Sequence, residues 1–280
     1  MRGSNGHDGR REREQGSFLK PTVLKLVFLV EWTLFILLEW LRGKLGTSGK
    51  VLVASYPLVF FYLVACALVV WSQYTRQVAR GWKLLALALG LAATDQFIKA
   101  MIGAFVPYQT SVPIIEGWLH LAHKHNLQGS WLVSAFNLRL VGPAMLTVVV
   151  VATLFGSAFC HRYYTTTKRE SVWADVAFLG LFAGSASWAC DMGFRGYIVD
   201  YINLPGVVTA DFKDILLAMG VAALFVEVLE NPDVSLRWSG WRQEGKDFLQ
   251  LGGAVVGFSI QELRGIRQVL MKRLRKDPRA

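Results

Sequence analysis

Six long apolar stretches constrain the fold of this chain more than any other feature of its sequence. A helix needs about 20 mostly apolar residues to cross a bilayer, and lipid offers no hydrogen-bond partner to an open backbone. The sequence therefore predicts an all-α polytopic membrane protein with six transmembrane helices. The predicted spans cover residues 21–41, 51–72, 83–106, 139–160, 173–192 and 212–230.

The distribution of basic residues predicts how these helices are oriented. The net charge is +10, but the basic residues cluster beside the apolar stretches and form no single patch of the kind that binds nucleic acid. Loops 107–138 and 193–211 contain few of them. By the positive-inside rule these loops lie outside the cell and both termini lie in the cytoplasm. Arg42, Lys44 and Lys50 of the first outside loop are exceptions to this pattern.

Composition divides the chain into four parts. Residues 1–20 are polar and charged, which predicts a disordered cytoplasmic segment. Residues 21–80 form an additional helical hairpin in front of a four-helix unit at 83–230. Residues 231–280 contain apolar positions at helical spacing among basic residues. This pattern fits equally a helix lying on the anionic cytoplasmic leaflet and a solvated, partly frayed tail.

Polar motifs interrupt the apolar stretches near their predicted outer ends. Asp95 and Lys99 close the third stretch, Asp191 closes the fifth, and Asp211 and Asp214 open the sixth. An aspartate at the bilayer centre costs roughly 3 kcal/mol, so intramembrane acids usually have a function. Two such acids on neighbouring helices can share one proton. Asp191 and Asp214 are therefore the first candidates for an aspartyl hydrolase pair.

Histidine and cysteine do not predict a metal site. His120, His123 and His125 lie in a segment with strand-like alternation, so His120 faces away from the other two. No carboxylate or cysteine lies close to them in sequence, and the three cysteines have no metal-ligand spacing. We expect neither a metal nor a disulfide framework.

Taken together, the polar motifs resemble those of the lipoprotein signal peptidase (signal peptidase II) family over about residues 83–230. That family has Asp-Gln-x-x-Lys, an Asn-x-Gly loop, Asp followed by Gly-Tyr-x-x-Asp, and Asn-x-x-Asp-x-x-Ile. The resemblance implies that Asp191 and Asp214 are the catalytic aspartates. It implies substrate-binding or supporting roles for the matched positions Asp95, Lys99, Asn126, Gly196, Tyr197 and Asp200, and we expect such a role also for Asp211, which stands at the position of a family Asn.

Four positions depart from the family pattern. Trp188 stands where the family has Asn, Met192 where it has Arg, Gln128 where it has the loop Gly, and Asp211 where it has Asn. These positions serve substrate recognition and local geometry more than proton transfer. Either the substrate differs from the usual one, or the chain is a degenerate relative.

The resemblance implies an intramembrane aspartyl endopeptidase that cleaves signal peptides from diacylglyceryl-modified prolipoproteins. The enzyme would lie in the bacterial inner membrane, with its active site near the periplasmic face under a small β/loop cap. It would need no cofactor, and its partners would be the prolipoprotein substrate and membrane lipids, without nucleic acid. The sequence leaves the oligomeric state open.

Two other functions fit parts of the sequence. A noncatalytic paralogue would bind lipoprotein, signal peptide or lipid without cutting, which suits the altered recognition positions. A small transporter would use the additional intramembrane acids Glu31, Glu39, Asp175 and Glu227. Transporters often contain internal repeats, and no repeated motif relates the two halves of this chain.

Overall fold

The computed structural model describes residues 18–131, 133, 143–231 and scattered positions between 253 and 268. Within these residues the chain forms six long helices and one small sheet. The helices are α1 (Val23–Leu41), α2 (Ser48–Tyr74), α3 (Trp82–Phe105), α4 (Pro143–Thr167), α5 (Val172–Cys190) and α6 (Phe212–Glu230). The strands are β1 (Ser111–Ile115), β2 (Leu119–Asn126), β3 (Ile198–Leu204) and β4 (Val208–Ala210).

Four of the helices, α2 to α5, are long and apolar enough to cross a membrane by length and composition. This confirms a multi-pass membrane protein. Helix α1 is also 19 residues long but contains Lys25, Glu31 and Glu39, and α6 has the same length and four charged residues. Membrane crossing by α1 and α6 therefore stays a prediction.

Glycines allow α5 and α6 to pack unusually closely. A Cβ atom on Gly180 would lie 2.3 Å from the backbone oxygen of Leu216, and one on Gly220 would lie 2.7 Å from the nitrogen of Leu181. Such distances exclude any side chain at these positions, so the two backbones approach directly. Small residues commonly permit this contact in membrane helices. The pairing holds the C-terminal end of α5 beside the start of α6.

The N-terminal hairpin shares a core with the rest of the protein. Phe28 of α1, Ala65 of α2, Trp173 of α5 and Val226 of α6 belong to one buried apolar cluster. The rings of Phe28 and Trp173 have centroids 6.1 Å apart. Helices α1 and α2 are thus packed against the helices that contain the aspartate motifs.

The four strands form an antiparallel sheet in the order β1-β2-β3-β4. Its register places Lys124 opposite Asp200 and Asn126 opposite Ile198. Val199 and Tyr201 pack with Ile102 near the end of α3, which seats the sheet on that end of the helices. The predicted cap is therefore a β-sheet, and its periplasmic location stays a prediction.

Three predicted features lie partly or wholly outside the described residues. They are the disordered segment 1–20 up to residue 17, the start of the span 139–160, and most of the tail 231–280.

Candidate active site

A buried lysine joins three carboxylates at the sheet end of the helices. The Nζ atom of Lys99 lies 2.6 Å from Asp95, 2.5 Å from Asp191 and 2.7 Å from Asp211, and all four side chains are completely buried. These residues come from α3, the end of α5 and the residue before α6. Since buried ions need close partners of opposite charge, this cluster ties three helix ends together. We call these four residues the lysine cluster.

Asp191 also has donors besides Lys99. A single π-helical turn, Asp191–Arg195, follows α5 and directs Arg195 back toward Asp191. The Nη1 atom of Arg195 lies 2.6 Å from Asp191 Oδ1, and the Gln96 amide donates to the same oxygen at 3.0 Å. Both carboxylate oxygens of Asp191 are therefore hydrogen bonded.

A second group of carboxylates lies beside the lysine cluster and shares Asp211 with it. Oxygen atoms of Asp200, Asp211 and Asp214 all lie within 4.8 Å of one another. Asp200 and Asp211 are buried, whereas the Asp214 side chain is 47% exposed. We call Asp200, Asp211 and Asp214 the open cluster, because Asp214 gives it access to the surroundings.

Lys213 and a capping box hold two members of the open cluster. The Nζ atom of Lys213 lies 2.9 Å from an oxygen of Asp211 and 2.9 Å from one of Asp214. Asp211 also caps α6 by accepting from the Asp214 backbone nitrogen at 3.2 Å. The Asp214 carboxylate accepts from the Asp211 nitrogen at 3.3 Å in return. Asp214 is thus held at the first turn of α6.

Asp200 has an unusual affinity for its proton. Burial raises the pKa of Asp200 to about 7, and the charges of Asp211 and Asp214 act in the same direction. The ammonium of Lys213 and a hydrogen bond from Asn126, 3.1 Å long, oppose the shift. A carboxyl group with a pKa near the working pH can both accept and release a proton. Asp200 is suited to acid-base chemistry.

The sequence of the chain matches a known protein family. A sequence model described as signal peptidase (SPase) II matches residues 87–230, about half of the chain. The chain belongs to the signal peptidase II family. The match starts within a few residues of the predicted unit 83–230, and the residues of both carboxylate clusters lie inside it. Family membership makes the protein a peptidase of lipoprotein processing.

Individual relatives are distant. A lipoprotein signal peptidase of Fusobacterium nucleatum is 24% identical over 143 residues, which cover 50% of this chain and 82% of that one. The lipoprotein signal peptidase of Sinorhizobium fredii is 23% identical over 140 residues, covering 48% and 79%. A solved chain described as a bacterial membrane enzyme is 19% identical, with a TM-score of 0.46 and coverage of 56% and 93%.

The structure distributes the predicted signal peptidase II residues over both clusters. Asp191 lies in the lysine cluster and Asp214 in the open cluster, and Asp211 belongs to both. The two aspartates expected to form the catalytic pair are therefore not members of one cluster. Asp200, expected only to support the site, is the buried carboxyl group grouped with Asp214.

Other predicted residues form the surroundings of Asp200. Asn126 donates to it from the neighbouring strand. Gly196 ends the π-helical turn with a φ of +74°, a conformation that favours glycine. The Tyr197 ring stacks on His125 with centroids 3.8 Å apart. Both residues thus shape the chain just before β3.

Several residues of the site were not singled out by the sequence motifs. Tyr201 donates to Asp95 at 3.0 Å and accepts from the Phe212 nitrogen at 3.1 Å, so it links the sheet to α3 and α6. Lys213 is the cation of the open cluster. The position of Lys213 between Asp211 and Asp214 in the sequence could have indicated that it pairs with them. Nothing in the local sequence indicates the long-range contacts of Tyr201.

Two departures from the signal peptidase II pattern have neighbours that supply similar groups. Met192 occupies the arginine position, and Arg195 contacts Asp191 one turn later. Gln128 occupies the glycine position, and Gly129 has the positive φ, +73°. Asn126 Oδ1 accepts from the nitrogens of Gln128 and Gly129 at 3.1 and 3.0 Å, which closes the loop.

The third departure, Trp188, supports this loop. Its Nε1 atom donates to the backbone oxygen of Gly129 at 3.1 Å. A Cβ atom on Gly129 would lie 3.4 Å from the indole ring, so the loop rests directly on it. Trp188 therefore replaces an amide donor with an indole donor and fills the space below the loop.

The histidines are held by one another and by the backbone. His123 Nδ1 lies 2.8 Å from the Val106 oxygen, and its Nε2 lies 3.2 Å from Nε2 of His125. Among the described residues, the groups with the spacing of metal ligands are the two carboxylate clusters. Lys99 contacts all three carboxylates of the lysine cluster, and Lys213 contacts Asp211 and Asp214 of the open cluster.

Proposed function

We propose that this chain is an intramembrane aspartyl endopeptidase that cleaves signal peptides from diacylglyceryl-modified prolipoproteins, with Asp191 and Asp214 as its catalytic aspartates. One observation carries the choice of residues: Asp191 and Asp214 each have a carboxylate oxygen within 4.8 Å of one of Asp211, and Asp214 is open to a substrate. Membership of the signal peptidase II family supports the substrate class.

Asp191 is held in place by three donors. It is completely buried and accepts from Lys99, Arg195 and Gln96. A carboxylate has about four lone-pair sites, so Asp191 can still accept the proton that a general base removes. Lys99 joins Asp191 to Asp211, which caps the helix that carries Asp214.

Asp191 and Asp214 support a simple hydrolytic mechanism, in which one carboxyl group of the pair carries a proton and the other is ionised. The ionised member takes a proton from water as the water oxygen attacks the scissile carbonyl carbon, and the other protonates the carbonyl oxygen. Collapse of the tetrahedral intermediate breaks the C–N bond: one carboxylate removes a proton from a hydroxyl group of the intermediate, and the other carboxyl group protonates the leaving amine. Lys99 and Lys213 limit the negative charge of the carboxylates.

The positive-inside pattern supports the proposed membrane arrangement. Six helices would cross the bacterial inner membrane, with both termini in the cytoplasm and the sheet covering the substrate on the periplasmic side. A cysteine introduced by Gln128→Cys would then react with a reagent added outside, whereas one in the tail would not. The reverse labelling pattern would contradict this topology. Membrane lipids are the only other partner that we propose.

A cleavage assay on the purified protein tests the proposed function. The folded chain should cut a diacylglyceryl-modified prolipoprotein and leave the unmodified precursor intact. Asp191→Asn and Asp214→Asn should each abolish cutting, and Glu116→Gln, a change at an exposed carboxylate outside both clusters, should have no effect. Binding of the lipid-modified precursor without cleavage would instead identify a noncatalytic paralogue.

A further inference from the structure

An apolar groove lies between the two helices of the N-terminal hairpin. Its volume is about 340 Å³, and ligand pockets usually have volumes of about 300–1,000 Å³. The groove is lined by Thr33, Ile36, Leu37 and Trp40 of α1, by Leu45 of the connecting loop and by Val51 of α2. The hairpin lies outside the signal peptidase II match, so the family assigns this groove no role.

The groove follows the axis of α1. Its four lining residues on α1 share one face of the helix, and at a rise of 1.5 Å per residue they extend over about 10 Å. Other apolar side chains of α1, among them Val30, Leu34 and Leu41, are also exposed. Large exposed apolar surfaces often mark contact with a membrane, and α2 is long and apolar enough to cross one. A groove of this direction fits an acyl chain.

One end of the groove lies beside a basic loop. Residues 42–50 contain three cations and no acid. Lys44 precedes the lining residue Leu45, and Lys50 precedes the lining residue Val51. The Nζ atom of Lys50 donates to the backbone oxygen of Lys44 at 3.4 Å, which brings the two lysines together. Both lysines therefore lie at the loop end of the groove.

The loop end of the groove has an excess of positive charge. Lys44 is 56% exposed and lies 3.9 Å from Glu39, a carboxylate that Arg42 also neutralises. Lys50 is exposed and forms no ion pair with any residue that the structure describes. Trp40 is exposed at the same end of α1, and tryptophan is typical of the headgroup level of a membrane. The charge of this end is complementary to a lipid phosphate.

We propose that the groove binds an anionic phospholipid of the membrane, with one acyl chain along α1 and the phosphate held by Lys44 and Lys50. Such a site explains why basic residues occur in a loop that the positive-inside rule would leave without them. The proposed site does not depend on the peptidase activity, so the two proposals can fail separately.

Native mass spectrometry of the full chain in detergent tests the headgroup contact. Phosphatidylglycerol should bind roughly tenfold or more tightly than phosphatidylcholine with the same acyl chains. Lys44→Gln and Lys50→Gln should each weaken phosphatidylglycerol binding about fivefold, as expected for one lysine beside an anionic lipid. Lys83→Gln, at an exposed lysine outside the hairpin, is the control. Equal affinity for the two lipids would overturn the inference.

A second pair of variants tests the acyl chain. Thr33→Trp fills the groove with an indole ring and should weaken phosphatidylglycerol binding roughly tenfold, because the chain loses its apolar contacts. Leu34→Trp, at an exposed residue of the same helix outside the lining, should have no effect. Competition by glycerol 3-phosphate would show a site for free phosphate and would contradict the proposal. Displacement by the diacylglyceryl-modified precursor would assign the groove to substrate instead of membrane lipid.

Thermal unfolding measures the same binding without a mass spectrometer. A ligand that binds only the folded state raises Tm, so phosphatidylglycerol should raise the Tm of the parent chain more than phosphatidylcholine does. This difference should disappear in the double variant Lys44→Gln, Lys50→Gln and persist in Lys83→Gln. A difference of the same size in the double variant would show that the lipid binds elsewhere on the chain.

Discussion

The same two helices carry buried acids at both of their ends, but the two ends are built differently. Asp175 lies in the first turn of α5 and Glu227 in the last turns of α6, far from the sheet. At the sheet end, α5 runs into Asp191 and α6 begins after Asp211. Comparison of these ends shows which buried acids indicate a site.

At the end far from the sheet, each acid is matched by donors. Asp175 accepts from the Val78 nitrogen at 2.7 Å and contacts His161 at 2.7 Å. Glu227 accepts from Arg169 at 2.9 Å and also from the hydroxyl groups of Tyr164 and Ser171. Such contacts satisfy buried carboxylates fully and join neighbouring segments. They give Asp175 and Glu227 a structural role, which weakens the transporter hypothesis.

At the sheet end, the carboxylates outnumber the cations beside them. Lys99 serves three aspartates and Lys213 serves two, with Asp211 shared between them. Asp200 has no cation within ion-pair distance among the described residues, and Asp214 is open. Burial of an acid is therefore common to both ends. A deficit of positive charge and access from outside occur only at the sheet end, and these are the marks of an acid-base site.

The largest predicted effect concerns the two proposed catalytic aspartates. Asp191→Asn and Asp214→Asn should each lower kcat by roughly a thousandfold or more, because an amide cannot exchange the proton. The double variant should be no slower than the single ones, since the two groups act as a unit. Single-turnover assays on a lipid-modified precursor provide the measurement. Appreciable cleavage by Asp191→Asn would move the catalytic role to another aspartate, with Asp200 the first candidate.

The next largest effect concerns the lysine cluster. Lys99→Met leaves three buried carboxylates without their shared cation, and removal of one partner from a buried ion pair typically costs 3–5 kcal/mol, with a value of about that size expected here. Thermal unfolding in detergent should show a much lower Tm. Lys124→Met changes a lysine of the sheet that is bonded to Thr209 and should have a small effect. Equal stability of the two variants would show that the cluster is not a structural tie.

The sequence predicted the helices and the polar positions better than it predicted which acids meet. Apolar runs of helical length are local signals, and five of the six predicted spans lie almost entirely within described helices. The grouping of Asp200 with Asp211 and Asp214 depends on the register of β3 beside β2 and on the packing of β3 against the start of α6, which are long-range. Spacing along the chain could not show that Lys99 and Arg195 contact Asp191.

A substitution at the end of α5 and α6 far from the sheet should reduce stability without affecting catalysis. Glu227→Gln keeps the size of the side chain but weakens the contacts with Arg169 and Ser171, so unfolding should be easier by about 1–3 kcal/mol. The pH profile of cleavage should stay unchanged. Thermal unfolding and kcat/KM, measured on the same preparation, test this prediction. A shifted pH profile would mean that the two ends of the helix pair are coupled.

The smallest effect is expected from Asp211→Asn, which restores the family residue. Asp211 lies beside both proposed catalytic aspartates, and loss of its negative charge favours the ionised form of neighbouring carboxyl groups. The acidic limb of kcat/KM should therefore move down by roughly half to one pH unit. Some stability should be lost, because the new amide nitrogen would face Lys99 or Lys213. Glu116→Gln is the control for removal of a distant charge.

The direction in which the pKa of Asp200 is shifted also predicts how the stability of the protein depends on pH. Because the folded-state pKa is raised from 3.8 to about 7, the folded state holds this proton more tightly than the unfolded chain. The stabilisation is therefore complete below about pH 4 and is lost as the pH rises to about 7. Asp211→Asn lowers the folded-state pKa and should make this decline smaller. Unfolding measurements at pH 5 and pH 8 test this, and a steeper decline in the variant would mean that Asp211 does not act on Asp200 through its charge.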